Sequence, residues 1–292
     1  MTAGYSEDEG SSEVSSELID LCGCTDCGTC IQPVDAPMAN IDGITLRTPE
    51  GNPLICGGDR LDRECYEYQP ETNSWVQGPS TIGNREGSAT VEVSEGKFWI
   101  LSGMTDAYTS EIYENGEFST GPNLPIVGDN AYPCAAKVNE STIFYGNDNA
   151  YLMRGLTGLF TDISAGQPYD FYETSCGCVT RSDGTRIIVA AGGFNRYSAG
   201  YYSSSYIYDL EIGQWIEGPE LPYAMSWGKV IPTDTSFYIV GGYSYSDGTN
   251  RFYDRILEFD ADNFAWVTRE ERMDIGRARG FMIDVDKNMF CN

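Results

Sequence analysis

The chain has 292 residues, enough for a sizeable core, and contains no run of 18 apolar residues that would span a membrane as a helix. With 18 Lys plus Arg against 44 Asp plus Glu, its formal net charge is −26, which disfavours nucleic acid and anionic lipid as partners. It has no His, so the commonest general base and transition-metal ligand are both missing, and no catalytic residue, metal or cofactor is expected.

In chain order, residues 1–14 are acidic and Ser-rich and read as a disordered tail, followed by one domain over 15–292. The segment "SSELIDL" at 15–21 matches "SSYIYDL" at 204–210, yet it has almost no chain before it. Five apolar stretches ending in small residues then recur: "NPLICGG", "KFWILSG", "STIFYGN", "RIIVAAGG" and "SFYIVGG". Their glycines, Gly58, Gly103, Gly146, Gly193 and Gly242, are spaced by about 45, 43, 47 and 49 residues. Each stretch follows another strand pattern across a polar turn, as in "SATVEV-SEG-KFWIL". After it, an aromatic precedes a tryptophan by seven residues: Tyr68 and Trp75, Tyr208 and Trp215, Phe259 and Trp266. The pattern weakens to Tyr113 and Phe118 in the second unit and further in the third. Turn-forming residues between the two positions predict a hairpin, so each unit reads as four antiparallel strands in sheets stacked around an axis.

The glycine pairs Gly57–Gly58, Gly192–Gly193 and Gly241–Gly242, with these aromatic–Trp pairs, resemble the kelch family of β-propellers over nearly the whole chain. The resemblance implies an all-β, six-bladed kelch-type propeller. Its last blade would be shared between the ends: "ARGFMIDV" and "KNMFC" as first and second strands, "SSELIDL" as the third. Closing the wheel in this way removes exposed sheet edges. The N-terminal region also looks like that of secreted invertebrate kelch proteins, which implies an extracellular location.

Ten cysteines, at 22, 24, 27, 30, 56, 65, 134, 176, 178 and 291, point the same way. Residues 1–21 carry no apolar signal core, so either a signal precedes this numbering or Met1 is not the natural start. Cys56 and Cys65 flank one inter-strand loop and are expected to bridge. Cys134 is expected to meet Cys176 or Cys178, and Cys291 to meet Cys22 or Cys24. The cluster Cys22, Cys24, Cys27 and Cys30 also has the spacing of a thiolate zinc site, although disulfides are the preferred reading. Asn139 opens the one N-x-S/T glycosylation sequon.

In kelch propellers the loops after the glycine pairs and between units share one face, the family's usual ligand surface. Here two of those loops carry Tyr197, Tyr201, Tyr202, Tyr243, Tyr245 and Tyr253 among Ser, Gly and Asn, a mixture suited to binding. Trp227 and the loop arginines Arg85, Arg277 and Arg279 join them as ligand candidates, with pairing to local carboxylates as the rival role for the arginines. Copper radical oxidases related to kelch proteins need His ligands, and no sialidase S-x-D-x-G-x-x-W box is present. The expected function is a secreted, non-catalytic module that binds a protein or glycan. The alternatives are a structural component of matrix, mucus or filament, with homo-assembly, and an enzyme using Tyr, Arg and carboxylates at the channel mouth.

Overall fold

The computed structural model describes residues 2–6 (backbone only), 16–19, 31–37, 42–59, 61–105, 107–125, 132–168, 171–233, 235–285 and 289–290. The chain forms an all-β propeller with five four-stranded antiparallel blades among the described residues, one fewer than the six expected. Blade 1 comprises Ile44–Arg47, Pro53–Cys56, Cys65–Gln69 and Ser74–Gln77. Blade 2 comprises Ala89–Ser94, Lys97–Leu101, Ser110–Glu114 and Glu117–Thr120; blade 3, Cys134–Asn139, Thr142–Gly146, Ala150–Arg154 and Leu159–Asp162. Blade 4 comprises Ser175–Thr180, Arg186–Ala191, Ser205–Asp209 and Gln214–Glu217; blade 5, Lys229–Pro232, Phe237–Val240, Arg255–Asp260 and Ala265–Arg272. Blades 4 and 5 each interpose a two-stranded ribbon between second and third strands, Phe194–Asn195 with Gly200–Tyr201, and Tyr243–Ser246 with Thr249–Phe252.

The repeat marks have distinct physical jobs. Each aromatic–Trp pair sits directly opposite across the third and fourth strands, and the rings meet at 5.1–5.4 Å between centroids. The indole then reaches backwards to the preceding blade. Trp215 Nε1 donates to the Ile163 carbonyl at 2.9 Å, and Trp266 Nε1 to the Pro219 carbonyl at 3.1 Å. One side chain thus fills the inter-blade core and satisfies its own polar atom. The glycine pairs receive the following blade. Gly192 has a φ of +67°, and a Cβ there would lie 2.5 Å from the Met225 carbonyl oxygen. Its neighbour Gly193 donates its N–H to that same oxygen at 2.8 Å. Only glycine permits both the left-handed turn and this approach.

The inner strands of the five blades pack in sequence around the axis, and Arg277–Met282 closes the circle between blade 5 and blade 1. This strand is the first strand expected of the shared blade, but its sheet is different. Its antiparallel partner is Thr2–Ser6, a stretch expected to lie in the disordered tail. Residues 16–19 form no strand, and residues 289–290 no second strand, so no four-stranded sixth sheet exists among the described residues. Side-chain packing and isolated hydrogen bonds fill the gap instead. Leu18 and Met289 pack around Tyr68 and Phe290, and Ile31 N–H donates to the Phe290 carbonyl at 2.8 Å. Trp75 Nε1 donates to the Val34 carbonyl at 3.3 Å, the same backward reach that Trp215 and Trp266 make to true blades. Both ends of the chain therefore seal the wheel, without the ladder that the repeat pattern predicts.

The Cys56–Cys65 disulfide forms as expected, between directly paired residues. Cys134 bridges Cys176 with a Cα–Cα separation of 5.7 Å, tying the inner strands of blades 3 and 4. Cys178 remains a buried thiol, its pKa pushed up to about 11 by burial with Arg186 opposing. It lies two residues further along the strand, a step of about 6.6 Å that takes it beyond bridging distance of Cys134. Cys22, Cys24, Cys27, Cys30 and Cys291 fall outside the described residues, so their pairings and the zinc alternative do too. No helix among the described residues is long and apolar enough to cross a membrane.

Two of the candidate ligand arginines work inside the fold. Arg85 is 2% exposed and pairs with Glu111, 1% exposed, at 2.6 Å. Its Nε also donates to Glu111, Nη1 to the Ser102 carbonyl and Nη2 to Thr109 as well, while Glu111 also accepts the Ile82 and Gly83 N–H groups. Arg277 is 4% exposed and pairs with Glu17 at 3.0 Å, and Glu17 also takes the Asp274 N–H. Sequence position put both near the channel mouth; burial turns their forks inward, Arg85 tying the link before blade 2 to that blade and Arg277 tying the closing strand to the 16–19 segment. Replacing Arg85 with Met is expected to cost about 3–5 kcal/mol, because Glu111 stays buried without its countercharge. Urea unfolding checks this, and an unchanged midpoint would contradict it.

Candidate functional site at the channel mouth

Each wheel position carries one left-handed residue, two places before the inner strand in the five blades and within Arg277–Met282 at the sixth. These are Asp42, Gly87, Tyr132, Glu173, Trp227 and Arg279, with φ between 57° and 67°. Their backbones form a closed hoop. Asp42 N–H donates to Arg279 C=O, Gly87 to Asp42, Tyr132 to Gly87, Glu173 to Tyr132, Trp227 to Glu173 and Arg279 to Trp227, at 2.7–3.4 Å. Each step crosses from one wheel position to the next, so six positions surround the axis although only five hold complete blades. The shared left-handed turn places the hoop side chains at the mouth. Asp42, Tyr132, Glu173, Trp227 and Arg279 line a cavity of about 80 Å³ there. Beneath it the inner strands enclose a channel of about 300 Å³.

Charge in the hoop is unevenly matched. Arg279 Nε donates to Asp42 Oδ1 at 2.8 Å, and a second nitrogen donates to the Tyr132 hydroxyl at 2.7 Å. The Tyr132 hydroxyl in turn donates to Asp42 Oδ2 at 3.1 Å. The guanidinium also lies over the Trp227 ring at 4.6 Å from its centroid. Asp42, Arg279 and Tyr132 thus form a satisfied triad. Glu173 is different. It is 8% exposed, and burial pushes its pKa up to about 7. Ser226, Tyr172, Trp227 and the Arg196 cation offset part of that cost. Neither Ser226 Oγ nor Trp227 Nε1 completes a hydrogen bond.

Aromatic rings form a circuit at the mouth, two of which, Tyr172 and Trp227, adjoin this carboxyl group. Tyr132 meets Tyr172 at 5.7 Å, Tyr172 meets Phe194 at 6.4 Å, and Phe194 meets Tyr201 at 5.0 Å. Tyr201 meets Tyr243 at 5.6 Å, Tyr243 stacks on Trp227 at 5.4 Å, and Trp227 returns to Tyr132 at 6.4 Å. The circuit closes, and all six rings are partly exposed. The two ribbons supply Phe194, Tyr201 and Tyr243; the hoop and its flank supply the rest.

The expected tyrosines therefore divide into groups. Tyr201, Tyr243 and Trp227 are members of the circuit. Tyr202 is held beneath it, its hydroxyl accepting from Asn195 at 2.6 Å. Tyr253 stacks on Tyr223 at 4.0 Å and is part of the fold. Tyr197 and Tyr245, 88% and 52% exposed, stand out on the ribbons. Tyr132, Tyr172, Phe194 and Glu173 were not anticipated. The available signal was positional: Tyr132 and Glu173 lie two residues before an inner strand, in step with Asp42 and Gly87. Asn139 is exposed in the turn between the first two strands of blade 3, on the opposite face. Among the described residues no group of three His, Cys, Asp or Glu is placed to hold a metal ion.

No protein-family model matches the chain, and no curated protein does. Solved structures do. The structure of YjhT is similar over 85% of this chain and 89% of that one, with a TM-score of 0.66 at 15% identity. At that identity the likeness establishes the propeller fold alone.

The buried carboxyl group predicts a pH signature. Folding holds the Glu173 proton more tightly than the unfolded chain does, so this group's contribution is intact below pH 4.5 and is lost as pH rises through about 7. Glu173→Gln should therefore gain stability relative to the parent across that window, by on the order of 3 kcal/mol at its upper end. Unfolding free energies at pH 5 and 7.5 test this; a difference independent of pH would contradict it.

Proposed function

We propose that this chain is a secreted, non-catalytic, kelch-type propeller that binds a protein or glycan at the face carrying the two ribbons. The closed aromatic circuit at the channel mouth is the observation that carries this reading. Six partly exposed rings in mutual contact give a rigid surface with polar edges, and burying such rings yields large contact energy for little lost side-chain freedom. Exposed Tyr197 and Tyr245 extend the surface outward on ribbons that no blade needs for its own hydrogen bonding. Left-handed glycine pairs and the backward-reaching Trp residues support the kelch type. The two disulfides are compatible with an oxidising, extracellular setting. A glycan on Asn139 would leave the binding face clear.

The test is a glycan and extracellular-peptide array probed with the intact chain and with the Tyr197→Ala/Tyr245→Ala double variant. Retained signals should fall at least tenfold in the variant, with its melting temperature within about 2 °C of the parent. Equal binding by both proteins, or silence across the array, would count against this face.

A further inference from the structure

The hairpins that join the first and second strands differ between blades. In blades 2 and 3 the register slips just before the turn, between Glu92 and Ser94 and between Lys137 and Asn139. The same hairpins of blades 1, 4 and 5 pair without a slip. A bulge of this kind bends its strand and re-aims the side chains beside it. The two bulged hairpins are neighbours, and between them, on the face opposite the mouth, lies a cavity of about 210 Å³. Val93, Trp99 and Ile143 give it an apolar lining, and Ser94, Lys97 and Asn139 a polar one.

Two polar groups at this cavity are incomplete. Trp99 is 1% exposed, and its Nε1 donates to no acceptor among the described residues. Trp75, Trp215 and Trp266 each donate to a carbonyl of a neighbouring segment. A buried N–H without an acceptor carries an uncompensated desolvation cost. Asn139 is exposed, and its Oδ1 accepts the Ser141 backbone N–H at 2.9 Å and the Ser141 hydroxyl at 3.1 Å. A backbone N–H can only donate, so this contact fixes which branch of the amide is oxygen. Nδ2 stands on the other branch, and no hydrogen bond among the described residues engages it. Asn139, Glu140 and Ser141 are also the chain's one N-glycosylation sequon. The nitrogen that would receive a sugar is therefore uncommitted, and it borders a cavity beside an indole that lacks an acceptor.

We propose that Asn139 carries an N-linked glycan whose first sugar, an N-acetylhexosamine, seats in this cavity and braces blade 2 against blade 3. The sugar arrives on a glycosyl diphosphate donor. Asn139 Nδ2 forms a bond to the anomeric carbon, the bond from that carbon to the diphosphate oxygen breaks, and the diphosphate leaves with the electron pair. Nδ2 gives up one proton, and no oxidation state changes. Once seated, the sugar's acetamido carbonyl supplies the acceptor that Trp99 lacks. Its ring covers Val93 and Ile143, and its hydroxyls meet Ser94 and Lys97. The inference rests on the secretory part of the proposed function and is independent of what the mouth binds.

The experiment secretes the full chain, behind a host signal sequence, from mammalian cells that make only high-mannose glycans. Its outcome then does not depend on where the native chain resides. Peptide mass mapping should find an N-acetylhexosamine on Asn139. Endoglycosidase H, which leaves that one sugar, should keep the melting temperature within about 1 °C of the full glycoprotein, whereas peptide N-glycosidase F, which leaves none, should lower it by about 3 °C or more. Ser141→Ala, which keeps Asn139 but destroys the sequon, should melt with the sugar-free protein, as should Asn139→Gln. Trp99→Phe should at least halve the difference between the one-sugar and sugar-free forms. An unmodified Asn139, a one-sugar form that melts with the sugar-free protein, or a difference unchanged in Trp99→Phe would each overturn the proposal. The ligand array reads the opposite face, so the two readings fail separately.

Discussion

The six backbone hydrogen bonds of the hoop link every wheel position to the next, and they do so at the level where the inner strands begin. Each bond needs its residue in the left-handed region, which costs an L-residue other than glycine roughly 1–2 kcal/mol. Five of the six positions bear that cost, since only Gly87 is glycine. Recovering it requires that the circle close, so that every N–H and C=O in the hoop is used. Closure, in turn, needs a sixth strand between blades 5 and 1. Arg277–Met282 provides it, held at its base by the Arg277–Glu17 pair.

From that constraint the division of labour among arginines follows. Those whose side chains turn inward, Arg85 and Arg277, are buried with a carboxylate each and hold the connecting segments in place. Arg279, itself a hoop residue, is turned to the mouth, where Asp42 and Tyr132 fix its plane and Trp227 lies beneath it. The residue type is the same in all three cases, and the backbone position decides whether the guanidinium serves the fold or the surface. The same logic separates Tyr253, stacked inside, from Tyr197 and Tyr245 on the ribbons.

How much of this the sequence disclosed depends on how strictly geometry constrains the residue type. Gly192 and Gly193 were legible because no other residue fits against Met225. Trp215 and Trp266 were legible because one large side chain with an N–H must span two blades. The Cys56–Cys65 bridge followed from strand pairing alone, while the choice of Cys176 over Cys178 needed the actual offset between blades. The hoop was not legible, because any side chain can occupy it once the backbone is held; Asp, Gly, Tyr, Glu, Trp and Arg share no pattern. Glu173 escaped notice for that reason. The sixth position was half legible. The ends do meet, but the partner of Arg277–Met282 is Thr2–Ser6, and residues 16–19 contribute packing in place of a ladder.

The freedom of the hoop has an evolutionary corollary. Its main-chain bonds are indifferent to what each of the six residues carries, whereas its uniform turn aims every side group into the same bowl. The scaffold therefore separates the problem of staying folded from the problem of choosing a ligand. Exchanging a few letters there would rewrite the chemistry of the bowl while the spokes behind it kept their shape.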